Sequence, residues 1–232
     1  MISDQLRAAL AQVTTATLTT VLLKQGIRNT WLRGPVPFGP AAQGTRVVGE
    51  AFTLRFVPMR EDLATPASWA SPRSTRAAIE EMPGGAICVA DAMGVADAGI
   101  FGDILCARIA RRGLAALVTD GAIRDAAGVI ATGLPVWCRG AAAPASVAAL
   151  TFAGWQEPIA CGGVAVLPGD VIVADEDGAI VLPQALAESA AAAAVEQERE
   201  EAWVLRQVHG GAALPGLYPM SAETRERYER ER

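Results

Sequence analysis

The sequence is poor in the two side chains that most often act as a catalytic base or an imine-forming amine. Its 232 residues include one histidine, His209, and one lysine, Lys24. A single histidine excludes a histidine-rich metal centre within one chain, and imine catalysis would have to rest on Lys24. Lys24 falls on a predicted N-terminal helix with no sign of burial, so a solvated lysine is favoured over a catalytic one.

Basic runs, aromatic residues and long apolar runs are also scarce. Aromatic residues make up 5% of the chain, and the formal net charge is −5. An acidic chain without a basic run offers little to a nucleic-acid backbone, so we expect no nucleic-acid partner. The apolar runs are interrupted well before the roughly 20 residues that a membrane span needs, so we expect no membrane partner.

The four cysteines are scattered and form no CxxC pair. This spacing is typical of neither a zinc site nor a redox motif. We expect reduced, mostly buried thiols in a cytoplasmic protein.

Helical and strand patterns alternate along the chain, which predicts an α/β fold with a mixed sheet and helices at both ends. The length suits one domain over residues 1–232, with peripheral ends at 1–13 and 210–232. Helices are predicted at 4–12, 14–26, 73–81, 104–112 and 184–208. Ser3 is the predicted N-cap of the first helix, and threonines cap the second. Strands are predicted at 45–58, 85–91, 114–119 and 134–140, with three short strands within 162–183. The tail 221–232 is predicted to be a solvated helix or a frayed end.

The stretch 101–125 carries the chemistry-bearing residues. Twenty residues separate Asp103 from Arg124, which Asp125 follows. Asp103 is the predicted N-cap of a helix that ends at Gly113. A nine-residue helix is about 14 Å long and a six-residue strand about 20 Å, so a strand running back along the helix returns the chain to its start. We therefore expect Arg124 and Asp125 to lie near Asp103.

Such a crevice would suit a small α-keto acid. The unpaired N–H groups of residues 103–105 form an anion site, Arg124 binds a carboxylate or keto oxygen, and Asp125 holds a hard cation. The alternative is that Asp103 is only a cap and that Arg124 and Asp125 form an ordinary turn. Spacing alone does not choose between them.

A family resemblance favours the first interpretation. Its elements are Gly102-Asp103, Gly113, Asp120-Gly121 and Arg124-Asp125, followed by the segment 161–183. Together they resemble the RraA-like family, which includes 4-hydroxy-4-methyl-2-oxoglutarate aldolases and regulators of ribonuclease E activity, over about residues 14–209. The resemblance implies a layered α/β sandwich with a central mixed sheet. It also implies homotrimers, sometimes paired as hexamers, with active sites between protomers.

The resemblance also implies site roles. In the aldolase branch, the backbone at positions matching Gly102, Asp103, Ile104 and Leu105 holds the pyruvyl carboxylate. The position matching Arg124 binds the keto oxygen. That matching Asp125 carries Mg²⁺ or Mn²⁺, and that matching Asp103 orders water on the metal. Relatives add a late-helix glutamate across the subunit interface, and the candidates here are Glu196, Glu198, Glu200 and Glu201.

The function implied is a class II pyruvate-forming lyase that cleaves a 4-hydroxy-2-oxo acid, decarboxylates oxaloacetate, or does both. The alternatives are a non-catalytic regulator that binds and inhibits a ribonuclease, and hydration or dehydration of a keto acid through a metal enolate. Segments 23–37 and 57–69 depart from the named aldolases and leave the substrate open. Arg60, in the second segment, is a candidate to bind the distal part of a substrate.

Three other features have structural and functional interpretations. His209 precedes two glycines, and this position favours a residue at a helix end over a catalytic acid or base. The acidic cluster Asp175–Gly178 favours a hairpin turn over a calcium loop. Asp91 and Asp97 bracket a loop before the site, and a solvated loop is favoured over residues that line the site.

Overall fold

The chain alternates helices and short strands. The computed structural model describes residues 2–232. Its helices within that range are α1 (Asp4–Leu10), α2 (Thr15–Lys24), α3 (Thr75–Glu81), α4 (Asp103–Arg111), α5 (Ala126–Ala131), α6 (Ala187–His209) and α7 (Ala222–Glu231). Its strands are β1 (Val36–Phe38), β2 (Val47–Pro58), β3 (Ile87–Asp91), β4 (Gly99–Phe101), β5 (Ala116–Thr119), β6 (Ala122–Ile123), β7 (Val136–Cys138), β8 (Leu150–Trp155), β9 (Val171–Asp175) and β10 (Gly178–Leu182).

Eight strands form one mixed sheet in the order β1-β7-β5-β3-β2-β9-β10, with β8 also paired to β2. The pairs β2–β3, β3–β5 and β5–β7 are parallel, and the remaining pairs are antiparallel. Hydrogen bonds from Leu32 N to Ala179 O and from Val181 N to Thr30 O lay the segment before β1 along β10. The two ends of the strand order therefore approach each other, and the sheet curls. The predicted mixed α/β fold is confirmed.

Both faces of the central strands are covered, which is why they read as unbroken apolar runs. One face packs inside the curl, through Ile87, Val89, Ala116, Val118 and Trp137. The other face packs against α3, α4 and α5, through Cys88, Ala90, Leu117, Val136 and Cys138. The side chains alternate between the two cores because successive residues of a strand point to opposite faces.

A third core lies between β9, β10 and the helices α1, α2 and α6. At its edge the buried carboxylate of Asp175 accepts hydrogen bonds from Thr15 N at 2.8 Å, Thr15 Oγ1 at 2.6 Å and Asp177 N at 3.0 Å. Arg46 Nε lies 3.5 Å from the same carboxylate. Asp175 therefore joins the start of α2 to the β9–β10 turn.

Most predicted elements are confirmed, including the side-chain caps of α1 by Ser3 and of α2 by Thr14. The prediction of three strands within 162–183 is wrong, because only β9 and β10 form there. Residues 161–163 form a 3₁₀ turn instead, with Gly162 at φ 57° against the backbone of Arg33. The tail forms α7, whose Tyr228 ring packs edge-on against Trp203 of α6 at 5.6 Å between centroids.

The four cysteines are buried and free, as expected. Burial raises the pKa of Cys138 to about 11 and that of Cys106 to about 12. Within residues 2–232 no single helix is long and apolar enough to cross a membrane, and only the bent pair α1 and α2 passes on length and composition.

The Asp175 contacts predict a large stability loss on truncation. Asp175→Ala should lower the free energy of unfolding by about 3 kcal/mol, because it leaves the buried Thr15 groups and Arg46 without their acceptor. Urea unfolding followed by circular dichroism measures the change. Glu176→Ala, in the exposed part of the same turn, is the control and should change stability by less than about 0.5 kcal/mol. Equal losses in both variants would contradict this role for Asp175.

Candidate active site

The two ends of the stretch 101–125 meet because the strands that precede them pair. β4 and β6 form a two-stranded parallel sheet, so their carboxyl ends lie at the same edge. β4 leads into Gly102 and α4, and β6 leads into Arg124 and Asp125. Arg124 N donates to Phe101 O at 2.8 Å and fixes the two ends side by side. The predicted proximity of Asp103, Arg124 and Asp125 is confirmed, since all three line one cleft of about 330 Å³.

The N-cap of α4 is Gly102, so the prediction that Asp103 caps this helix is wrong. Asp103 is the first helical residue, and its Oδ1 accepts from Ile104 N at 2.7 Å. The cap position has no room for a side chain, since a Cβ on Gly102 would lie 2.6 Å from Asp125 Oδ2. An acidic residue in the first turn is still favoured by the helix dipole.

The first turn of α4 presents backbone donors to the cleft. Gly102 at the cap position has no side chain, and Asp103 Oδ1 engages Ile104 N, so within residues 2–232 the first-turn N–H groups of Asp103 and Leu105 have no side-chain acceptor. Gly102, Asp103, Ile104 and Leu105 all line the cleft. Uncapped N–H groups at a helix N-terminus, reinforced by the helix dipole, make an anion site.

Arg124 and Asp125 form an ion pair at the cleft wall. Arg124 Nε lies 3.1 Å from Asp125 Oδ2, and the two side chains are 37% and 41% exposed. Asp125 has left-handed backbone angles, φ 53° and ψ 46°, and is the N-cap residue of α5. Aspartate is one of the few non-glycine residues that adopts this conformation readily. The turn directs β6 into α5 and leaves both side chains at the cleft.

A second glycine brings α5 against Asp103. A Cβ on Gly128 would lie 2.7 Å from Asp103 Cβ and 2.8 Å from its Oδ2. The sequence reasoning missed Gly128, although a glycine within a short helical segment often marks a close approach of neighbouring groups.

The side chains at the cleft that could ligate a metal suit a hard cation. Asp103 and Asp125 supply carboxylate oxygens there, and the cleft is lined by neither histidine nor cysteine. Within the described residues no group of three or more acidic, histidine or cysteine side chains is placed to hold a metal. Mg²⁺ is commonly held by one or two carboxylates, with water and substrate oxygens completing its shell. The side chains present therefore fit Mg²⁺ or Mn²⁺ and do not fit Zn²⁺.

The outer wall of the cleft comes from residues that the sequence reasoning did not single out. Trp69, Arg76 and Ser146 line it, and Arg76 Cζ lies 5.1 Å from the centroid of the Trp69 ring. Arg60 does not line it; its guanidinium is exposed and pairs with Asp62 through contacts of 2.8 and 2.6 Å. Segment 57–69, which departs from the named aldolases, therefore contributes Trp69 to the cleft wall and does not contribute Arg60.

The late-helix glutamates are engaged within their own chain. Glu198 accepts from Thr14 N at 2.9 Å and Thr14 Oγ1 at 2.8 Å, and these contacts lower its pKa against the effect of burial. The other three contact Arg232 (Glu196), Arg225 (Glu200) and Gln197 (Glu201). None of the four lines the cleft of this protomer.

The remaining candidates lie away from the cleft. Lys24 Nζ donates to Gln197 Oε1 at 2.9 Å, and His209 is the last residue of α6. Asp175 to Gly178 form the predicted hairpin turn between β9 and β10.

Asp97 is exposed, whereas Asp91 is buried at the end of β3. Asp91 lines a different pocket, so the prediction of a solvated loop is wrong for that residue.

Comparisons with known proteins agree with the sequence pattern. A family model described as RraA-like, Aldolase/RraA, matches residues 11–181. A protein of Halalkalibacterium halodurans named putative 4-hydroxy-4-methyl-2-oxoglutarate aldolase is 34% identical over 162 residues, 70% of this chain and 71% of the relative. Protein DlpA of Legionella pneumophila is 30% identical over 150 residues, 65% of this chain. That match spans only 23% of the length of DlpA.

A solved structure extends the similarity to the whole fold. Streptomyces coelicolor RraAS2, described as an unusual member of the RNase ES inhibitor RraA protein family, superposes with a TM-score of 0.77. It is 38% identical, and the match covers 87% of this chain and 96% of that one.

The glycine at the cap position of α4 gives a structural test of the cleft. Gly102 has φ −109° and ψ −177°, which alanine also adopts, so the obstacles to Gly102→Ala are the contacts of its Cβ with Asp125 Oδ2 at 2.6 Å and Arg124 Cγ at 3.3 Å. The substitution should cost about 1 kcal/mol of unfolding free energy by overpacking, at the low end of such changes, because both contacted side chains are partly exposed and can move aside. Gly84→Ala is the matched control, because a Cβ there meets nothing closer than 3.5 Å. Urea unfolding of both variants measures the difference, and equal stabilities would contradict the close approach.

Proposed function

Since the chain belongs to the RraA-like family, we propose that it is a divalent-metal-dependent carbon–carbon lyase that releases pyruvate from a 4-hydroxy-2-oxo acid or from oxaloacetate. The observation that carries this proposal is the meeting of three groups in one cleft: the uncapped start of α4, Arg124 and Asp125. A pyruvyl group needs these three parts. The backbone N–H groups bind its carboxylate, the guanidinium of Arg124 binds its keto oxygen, and the carboxylate of Asp125 holds a metal ion.

In the proposed complex the substrate carboxylate accepts from the first-turn N–H groups of α4. Leu105 and Asp103 supply these donors at fixed positions, so binding needs little rearrangement of the backbone. Arg124 donates to the keto oxygen, at which negative charge develops during the reaction. A donor aimed at developing charge stabilises the transition state more than the ground state.

Asp125 would hold the cation, and Asp103 supplies the other carboxylate at the cleft. When bound, Mg²⁺ or Mn²⁺ supplies Lewis-acid stabilisation of the enolate oxygen. The family resemblance and the donor types support this assignment.

The reaction breaks the C3–C4 bond of the substrate. Its electron pair moves into the C2–C3 bond and gives the pyruvate enolate, while C4 leaves as a carbonyl or as carbon dioxide. In the retro-aldol case the C4 hydroxyl loses a proton, and in both cases C3 gains one. We assign to Asp103, which lines the cleft at the start of α4, the orientation of a water that carries these protons.

We expect the active form to be a homotrimer or a pair of trimers with the cleft between protomers. Ile104, at the mouth of the cleft, is 79% exposed in the single chain. The family resemblance supports this expectation, and a neighbouring subunit that closes the cleft would cover this side chain.

The lyase proposal predicts that Arg124 and Asp125 are both needed. Pyruvate release from oxaloacetate, coupled to lactate dehydrogenase, should fall about 10²-fold or more in Arg124→Ala, because a donor to the developing oxyanion is lost. Asp125→Ala should fall at least as far and lose its response to added Mg²⁺. Removal of metal with EDTA should abolish the wild-type rate.

Matched controls separate this effect from general damage. Arg111→Ala changes an exposed arginine at the far end of α4, and Asp177→Ala changes an exposed aspartate in the β9–β10 turn. Both should retain wild-type rates. Wild-type release no faster than Mg²⁺ in buffer would refute the lyase proposal, and full activity in Asp125→Ala would refute the metal assignment.

A second function is supported by the similarity to RraAS2, which is described as a member of an RNase ES inhibitor family. The chain would then bind an RNase E-type ribonuclease and slow RNA cleavage without catalysing a reaction. If this is its role, purified protein should inhibit the ribonuclease in a gel-based cleavage assay, and Arg124→Ala should inhibit equally. An unchanged cleavage rate at excess protein would exclude this function.

A further inference from the structure

A second pocket, of about 690 Å³, opens at the carboxyl ends of the parallel strands β3, β5 and β7. It is lined by the residues that end or follow these strands, Asp91, Asp120 and Arg139. It shares no lining residue with the candidate active site. The carboxyl edge of adjacent parallel strands is a common place for a ligand, because the loops diverge there and leave a crevice.

Three arginines from separate parts of the chain line this pocket. Arg33 precedes β1, Arg55 lies in β2, and Arg139 follows β7. Within the described residues the Arg33 side chain donates a single hydrogen bond, of 3.2 Å, to the neutral Asn29 side chain, and Arg55 Nη1 lies 3.8 Å from Glu157 Oε2. Among residues 2–232, the Arg139 side chain has neither an ion-pair nor a hydrogen-bond partner.

The guanidinium of Arg139 lies in a slot between two glycines. A Cβ on Gly34 would lie 2.5 Å from Arg139 Nε, and a Cβ on Gly94 would lie 3.6 Å from its Nη2. Both glycines have positive φ, 110° and 70°. A larger residue at Gly34 would therefore displace the guanidinium from its present position.

Within residues 2–232 the two acids of the pocket form no ion pair with the three arginines, and backbone N–H groups engage their oxygens instead. Asp91 accepts from Met93 N at 2.9 Å and Ala160 N at 3.0 Å. Asp120 accepts from the N–H groups of Ala92, Gly94 and Gly162 at 2.8 to 3.0 Å. The Arg139 guanidinium is therefore free to donate to a ligand, while Arg33 and Arg55 would exchange a hydrogen bond to neutral Asn29 and a 3.8 Å ion pair with Glu157.

We propose that this pocket binds a small oxyanion, the phosphate or carboxylate group of a metabolite, through Arg139 with Arg33 and Arg55. Guanidinium groups suit phosphate and carboxylate because each donates in a planar fork. A nucleic acid is not the expected ligand, since the chain carries a net charge of −5 and a backbone polyanion needs an extended basic surface. This inference does not depend on the proposed lyase activity.

The test is calorimetric titration of the full-length protein with inorganic phosphate and, separately, with malonate. We expect saturable binding of at least one of them, with a dissociation constant of about 1 mM or tighter. Chloride at matched ionic strength is the blank. A preference for phosphate or for malonate identifies which oxyanion the site takes.

Substitutions locate the binding. Arg139→Gln should weaken it about tenfold, because a charged hydrogen-bond donor is removed from the centre of the site, and Arg139→Lys should restore part of it. Because the other cleft is itself a candidate anion site, these variants are compared in the Arg124→Ala background, in which binding should persist, and Arg111→Gln, on the exposed surface of α4, should leave the affinity within about twofold. The exposed Arg139 side chain has no partner to lose, so its variants should retain the wild-type unfolding midpoint.

Three outcomes would overturn the proposal. The first is no saturable binding of either anion. The second is binding that Arg124→Ala abolishes and Arg139→Gln preserves, which would place the anion in the other cleft. The third is an equal loss in Arg139→Gln and Arg111→Gln, which would indicate general charge rather than a site.

Discussion

The buried carboxylate of Asp120 forms the interactions on which the arrangement of both clefts depends. Its two oxygens accept three backbone N–H groups, from Ala92, Gly94 and Gly162. They thereby join the end of β5 to the loop after β3 and to the turn at 161–163. Burial raises the pKa of Asp120 above its ordinary value, and the three donors oppose that increase. Gly121 follows immediately, where a Cβ would lie 2.5 Å from Ala92 Cβ. Gly121 directly precedes β6, so this close packing fixes the position from which β6 runs towards Arg124.

The sequence predicted much of the first cleft because its key residues are close along the chain. A helix and a returning strand have known lengths, and these were sufficient to bring Asp103, Arg124 and Asp125 together. The cap was misassigned because Asp is favoured both at the N-cap and in the first turn, and only the tight contact at Gly102 distinguishes the two. Trp69 and Arg76 were missed because their position depends on how an irregular segment packs, and no local pattern encodes that.

The second pocket could not have been found in this way. Arg33, Arg55 and Arg139 are far apart in sequence and belong to no common motif. They converge because β1 and β2 lie on either side of the parallel strands β7, β5 and β3 in one sheet. Strand order is a property of long-range pairing, and the apolar pattern of each strand does not specify its neighbours. The unpaired guanidinium of Arg139 becomes informative only after the sheet is assembled.

The partial exposure of the Arg124–Asp125 pair bears on the reaction that we propose. An exposed ion pair contributes at most about 1 kcal/mol, so its two partners can be separated at little cost. A buried pair would resist separation by several kcal/mol, because each charge would lose its only compensation. In the proposed complex the keto oxygen accepts from Arg124 while a cation binds Asp125, so neither side chain is left without a partner when the ion pair separates. The pair therefore keeps both groups in position at the cleft without competing strongly with the ligands that the proposed chemistry requires.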